Sequence, residues 1–190
     1  MKMKKEMITK DIAFALDCLK NGGIICYPTD TVFGLGCSIN NYSSIKRIYE
    51  IKGRGFNEPL SFAVNNIEEL IKYADVNGKQ LGKIKELIAK RKHYTFILKK
   101  KYGNPCIDLI SKDNKIGIRI INHPIVEFLT DYAGPIITTS ANMHGRPAVK
   151  NIEDLDSKIM SASDLTIDGK CNYGKASIVY DLVDDKIIRK

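Results

Sequence analysis

The sequence predicts a single α/β domain built on a twisted, mixed sheet flanked by helices, and three observations carry that prediction. Short apolar runs alternate with amphipathic stretches along the chain. The 190 residues, 44% of them hydrophobic, suffice for one core that buries about 70% of the unfolded surface without disulfide or metal staples. Short strands near the end, around Leu165–Ile167, Ser177–Leu182 and Lys186–Arg189, add antiparallel pairing to an otherwise alternating pattern.

From Thr9 onward, Ile12, Leu16 and Leu19 place one apolar stripe on a helix, with Thr9 as its N-cap and Gly22-Gly23 as its stop. Ile24 to Tyr27, closed by Pro28, reads as a buried strand entering a loop. In that loop Pro28-Thr29-Asp30-Thr31 and Gly34-Leu35-Gly36 combine hydroxyls with glycines, which predicts tight turns with small polar groups facing outward. Ser43 or Ser44 caps a second helix through Ile45, Ile48 and Ile51, and Lys52-Gly53-Arg54-Gly55 breaks it. Leu60 to Val64 reads as a strand. Ile67–Tyr73, Leu81–Lys90 and Ile125–Tyr132 read as helices, and Tyr94–Leu98, Ile116–Ile120 and Ile136–Thr139 as strands. With no linker, internal repeat or low-complexity stretch, residues 1–190 are expected to form one domain.

Thirty Lys and Arg against twenty-two Asp and Glu leave a formal charge of +8, which favours polyanions such as nucleotides or RNA without choosing between them. Much of the excess lies in Lys83, Lys85, Lys90, Arg91, Lys92, Lys99, Lys100 and Lys101. That run is either a solvated helix and strand end or an RNA-contacting face. The five cysteines are odd in number and never closer than eight residues, a pattern against a disulfide framework or a CxxC site. A reducing cytoplasm is the expected compartment. No apolar run approaches the ~18–20 residues of a membrane span, and no signal-type apolar core follows the lysine-bearing start.

Catalytic templates are mostly absent. There is no Walker A sequence and no GxGxxG, His93, His123 and His144 lack HExxH or paired metal spacing, and Ser140 sits in Thr-Ser-Ala-Asn rather than GxSxG. Hydrolase and zinc chemistry are set aside, and no metal ligand is assigned. Cations and hydroxyls at loop positions remain, a set suited to anion binding. If their segment is extended, Lys52 and Arg54 project to one side, where a planar fork and a mobile point charge complement a polyphosphate. On this reading either can be removed with the fold intact. Two solvated surface cations are the alternative. Ser140 and Asn142 follow the strand Ile136–Thr139, at the sheet end where α/β folds bind ligands, or else they only cap the next turn.

Several of these segments together resemble the YrdC-type (TsaC) family of threonylcarbamoyl-AMP synthases over nearly the whole chain. They are Tyr27-Pro28-Thr29-Asp30-Thr31 with Phe33-Gly34-Leu35-Gly36-Cys37, Ile51-Lys52-Gly53-Arg54 with Pro59-Leu60, Ile118-Arg119 with His123-Pro124, and Thr138-Thr139-Ser140-Ala141-Asn142 with Gly145 and Pro147. Ser177-Ile178-Val179 and Arg189 match late family elements. The resemblance implies the short form without an accessory C-terminal domain. It also implies an enzyme that joins L-threonine, bicarbonate and ATP, with Mg²⁺, into threonylcarbamoyl-AMP and pyrophosphate for tRNA threonylcarbamoyladenosine modification. A separate threonylcarbamoyl transferase complex would take the product, and the fold implied curls around a basic concave cleft.

On that resemblance Lys52 and Arg54 hold phosphates and carry catalysis, with Ser140, Asn142 and Arg189 as further ATP contacts. Arg119 clamps the threonine carboxylate, and Thr31, Thr138 and Ser177 take the polar remainder unless they are ordinary strand-end hydroxyls. Tyr27 either walls the pocket or packs against the sheet. The chain departs from the family pattern at four places: Glu58 for a lysine before Pro59, Ala63 for a substrate-side histidine, Arg91-Lys92-His93 for Pro-Gly-Pro, and Ile121 for a proline. The competing class is an RNA-binding or RNA-processing factor that uses the same basic cleft, with tRNA or double-stranded RNA as partner, and makes no adenylate.

Overall fold

The computed structural model describes residues 7–90, 92–111 and 113–189. In chain order its elements are β1 (Ile8–Thr9), α1 (Ile12–Lys20), β2 (Ile25–Tyr27), β3 (Gly34–Gly36), α2 (Tyr42–Lys52), β4 (Ser61–Val64), α3 (Ile67–Tyr73), β5 (Ala74–Asp75), α4 (Gly78–Ala89) and β6 (Tyr94–Lys100). There follow α5 (Pro105–Ile110), β7 (Lys115–Ile120), α6 (Pro124–Ala133), β8 (Ile136–Ser140), a 3₁₀ turn (Ile152–Asp154), α7 (Ser157–Ala162), β9 (Leu165–Ile167), β10 (Ile178–Asp181) and β11 (Lys186–Arg189). The strands form one 11-stranded sheet in the order β1-β9-β2-β3-β8-β4-β7-β6-β10-β11, with β5 on β6 off that path. Pairing is mixed: β4 and β7, for example, run parallel, and β8 runs antiparallel to β4.

Several local expectations need correction. Thr9 lies in β1, and its hydroxyl accepts from Asp11 N, while Asp11 caps α1 by accepting from Ala13 N at 2.8 Å. Ser43 and Ser44 sit inside α2, two and three residues past the cap position. Asn41 Oδ1 takes that role, accepting from Ser44 N at 3.0 Å and from both serine hydroxyls. Gly34-Leu35-Gly36 is a strand rather than loop, and Thr29, Asp30 and Thr31 face inward, each at most 3% exposed. The short α5 and α7 offer too few residues for a helical period, so the sequence hides them. The lysine-rich start, over residues 1–6, and Arg91 lie outside the described residues.

The sheet's pleat sorts the side chains onto two faces. On one, Ile24, Cys26, Phe62, Val64, Phe96, Ile118 and Ile137 join a core covered by α2, α3, α4, α5 and α7. On the other, Ile25, Tyr27, Ala63, Ile121 and Ile136 pack under α1 and α6 only. These two helices leave part of that face uncovered. Cys26, Cys37, Cys106 and Cys171 are buried thiols and serve as small core residues. Among the described residues no helix is long and apolar enough to cross a membrane.

The Lys83–Lys101 run is divided by the fold. Lys83 and Lys90 both pair with Glu86 on α4, Lys101 donates to Ile71 O, and Lys100, 5% exposed, bonds Asp108 and Ser111.

The β3 glycines make room for their neighbours. A Cβ at Gly36 would stand 2.1 Å from Ile137 O and 3.1 Å from the Tyr27 ring, whereas at Gly82, inside α4, it would meet nothing within 4 Å. Gly36→Ala is therefore expected to lose at least about 2 kcal/mol, and Gly82→Ala to gain about 0.5–1 kcal/mol, by urea denaturation. Equal effects would mean that β3 does not press against Tyr27 and β8 as described.

Candidate active site

The uncovered part of the second face is the floor of a pocket of about 480 Å³, a size suited to a small ligand. The floor is a registered row. Gly117 pairs with Ile97 on one side and Ser61 on the other, Ser61 pairs with Thr138, and all four line the pocket. All nine sequence-assigned residues, Thr31, Lys52, Arg54, Arg119, Thr138, Ser140, Asn142, Ser177 and Arg189, line it too.

Lys52 ends α2, and Gly53 follows it at φ 61° as a left-handed cap, so the extended Lys-Gly-Arg geometry expected from the sequence does not form. Lys52 is no surface charge either. At 4% exposure its Nζ donates to Ser140 O at 2.5 Å and Asn142 O at 2.8 Å, and its own carbonyl accepts from His144 N. It ties α2 to the loop after β8, with one Nζ hydrogen left for a ligand. Burial and the nearby Arg54 charge lower its pKa to about 8. Arg54 Nε donates to Glu58 Oε2 at 3.0 Å. Glu58, standing where the resemblance expects a lysine, also accepts from Gly55 N and lies 3.8 Å from His144 Nδ1. The Arg54 partnership holds its carboxyl below the usual carboxylate range.

Asn142 braces the next loop by donating from Nδ2 to Met143 O and, at 2.5 Å, to Arg146 O, and its buried Oδ1 has no protein partner. Arg189, on the edge strand β11, reaches back to Ser177 O through Nε and Nη2. The Ser177 hydroxyl in turn bonds Thr95 at 2.8 Å. Burial, and after it the charge of Arg54, lowers the pKa of Arg189, which lines the same pocket as Arg54 and Arg119.

The other end of the pocket centres on Arg119. It is 7% exposed, and its Nη2 donates both to Asp30 Oδ1 and, at 2.8 Å, to Thr31 Oγ1. Both Nη2 hydrogens are thereby committed, so the fork expected to clamp a carboxylate is not free at that nitrogen. Its buried Nε has no protein partner. Thr31 is itself fixed by Thr29 Oγ1 at 3.0 Å.

Sequence reasoning missed Asp30, Ser61, Thr95 and His144 as site residues. Ser61 and Thr95 carried a usable signal, since each is a hydroxyl two residues from another position on the same strand face. Tyr27 packs in the smaller core over the β3 glycines and does not line the pocket. Ala63, the register partner of Arg119, and Ile121 are buried in that same core, so neither departure faces the ligand space. No described lysine of the Lys83–Lys101 run lines it.

The pocket on the open sheet face thus gathers three arginines, a lysine and a row of hydroxyls, a set chemically suited to a small polyanion beside a polar organic ligand. Comparison with known proteins identifies the family. The chain belongs to the Sua5/YciO/YrdC family, whose model, described as "Telomere recombination", matches residues 17–190. A relative from Methanocaldococcus jannaschii, provisionally named threonylcarbamoyl-AMP synthase, is 37% identical over 187 residues, 98% of this chain and 87% of its own. The threonylcarbamoyl-AMP synthase of Wigglesworthia glossinidia brevipalpis is 27% identical, with 98% and 96% covered. The crystal structure of P. abyssi Sua5 complexed with L-threonine is 26% identical with a TM-score of 0.80, covering 93% of this chain and 54% of that one. The chain thus spans about half the length of the Sua5 chain it matches.

Because the buried Lys52 satisfies two part-buried carbonyls, Lys52→Ala is expected to cost about 1–3 kcal/mol of stability. Arg54→Ala, which breaks a partly exposed pair, should cost no more than about 1 kcal/mol. Urea denaturation of both variants checks this, and equal small losses would return Lys52 to the surface.

Proposed function

We propose that residues 1–190 form one catalytic unit that joins L-threonine, bicarbonate and MgATP into threonylcarbamoyl-AMP and pyrophosphate, for tRNA modification. One observation carries the reading: a Lys52–Arg54 cationic end and an Arg119–hydroxyl end face the same pocket. The first suits a triphosphate and the second an amino-acid carboxylate with its side-chain hydroxyl. The names of the relatives support it.

The chemistry asks little proton transfer of the protein. Threonine's amine adds to bicarbonate with loss of water to give a carbamate. A carbamate oxygen then attacks the α-phosphorus, the bond to the β-phosphate oxygen breaks, and pyrophosphate leaves. Since the nucleophile is already anionic, positioning and charge neutralisation supply the rate. In this reading Lys52 and Arg54 hold phosphates, Ser140, Asn142 and Arg189 contact the nucleotide, and Thr31, Arg119, Thr138 and Ser177 receive threonine. Among the described residues no three His, Cys, Asp or Glu side chains gather as a metal cage. On this reading Mg²⁺ enters with the nucleotide, whose phosphate oxygens, with water, would supply most of its ligands. A separate threonylcarbamoyl transferase in the cytoplasm would receive the product, and tRNA contact belongs to that transfer.

Purified protein given ATP, Mg²⁺, threonine and bicarbonate is expected to release pyrophosphate only when all are present. Arg54→Ala should slow release at least ~100-fold. Salt-sensitive RNA binding without threonine-dependent pyrophosphate would favour the RNA-factor reading instead.

The pH dependence of ATP binding follows from Lys52. Its ammonium is charged below about 8, so phosphate binding is strongest there and weakens as the proton leaves. ATP affinity should fall up to about tenfold between pH 7 and pH 9. Lys52→Met should bind more weakly at pH 7 and show no such fall. An equal fall in the variant would place the titrating group elsewhere.

A further inference from the structure

We propose that His93 is a positioning residue for the amino-acid end of the pocket: it holds Asp30, and through Asp30 it sets the guanidinium of Arg119. The proposal rests on the threonine reading of that end.

Asp30 is 3% exposed, and its two oxygens are held by different groups. Oδ1 accepts from Arg119 Nη2, and Oδ2 accepts from His93 Nδ1 at 2.8 Å. A buried carboxylate needs such partners, because desolvation is costly unless charge and hydrogen bonds replace the lost water. Each partner also fixes a direction. With Oδ2 tied to His93, the carboxylate plane cannot swing, and Oδ1 has one orientation to offer Nη2. Arg119 is fixed in turn, since its second Nη2 hydrogen goes to Thr31 Oγ1.

The donors this leaves for a ligand are Nη1 and the buried, unpartnered Nε. Their aim depends on where Asp30 holds Nη2. His93 is itself seated against the Tyr173 ring, centroids 5.0 Å apart, and the neighbouring Gly174 N donates to Thr31 O at 2.7 Å. One set of contacts therefore joins His93, the Thr29–Thr31 loop and Arg119, while His93 itself does not line the pocket. His93 occupies the segment where the chain departs from the family's Pro-Gly-Pro, so this support comes from a residue type the family pattern does not supply.

The test separates donor from packing by direct titration of L-threonine and of ATP, with no need for turnover. His93→Phe keeps a ring against Tyr173 and removes the donor, and His93→Asn keeps an N–H near the Nδ1 position. Phe is expected to weaken threonine binding about tenfold with ATP affinity within about twofold, and Asn to recover most of the loss. Wild-type threonine affinity in His93→Phe, equal losses for threonine and ATP, or an Asn variant no better than Phe would overturn the role of His93 alone. Wild-type protein that binds ATP but no threonine would overturn both this inference and the threonine reading beneath it.

Discussion

The two-residue alternation of the sheet is the constraint from which the site follows. Neighbouring side chains on β4, β6, β7 and β8 must point to opposite faces, and one face is sealed by five helices. The other carries only α1 and α6, so Ala63, Ile136 and, just past β7, Ile121 pack beneath them while Ser61, Arg119 and Thr138, each two residues away along the chain, line the pocket. A slip of one residue in β8 would send Thr138 into the large core and Ile137 into the pocket. Packing and binding are thus two outcomes of one register.

Polar groups placed this deep must be paired, and their pairing explains the local geometry. Lys52 spends two hydrogens on carbonyls of the β8 exit, which holds α2 and the 140–144 loop together. Arg119 spends one nitrogen on Asp30 and Thr31. Such buried pairs add little net stability, because desolvation offsets most of the attraction. Their effect is positional: they leave one nitrogen edge or one hydrogen of each cation toward the pocket.

Much of this was legible in the sequence. Helices such as Ile67–Tyr73 and strands such as Leu165–Ile167 follow directly from apolar spacing. The β3 strand was hidden by glycines, whose role is to admit the Tyr27 ring and a neighbouring carbonyl, a contact that no local pattern encodes. The helix caps were misplaced because Ser and Thr compete in sequence with Asp11 and Asn41, and only the backbone decides between them. The nine assigned residues share one pocket, yet their bonds were not legible. That Lys52 would be buried, and that Glu58 would occupy Arg54, depend on chain segments brought together by folding.

Electrostatics gives the pocket its direction. Burial lowers the proton affinity of Lys52, Arg189 and Arg119, and a neighbouring arginine adds to each shift: Arg54 at Lys52 and Arg189, and Arg189 at Arg119. The cations therefore repel one another across the ligand space. Asp30 and Glu58 neutralise part of this charge, one at each end, from positions beside the arginines rather than among all four cations. Among the described residues no further carboxylate forms an ion pair with these four cations. A polyanion bound against Lys52, Arg54 and Arg189, as proposed above, would relieve the repulsion among them, the fold having already met the cost of gathering those charges. That arrangement favours a ligand carrying several negative charges over one carrying a single charge, because only the former offsets repulsion at every cation it spans.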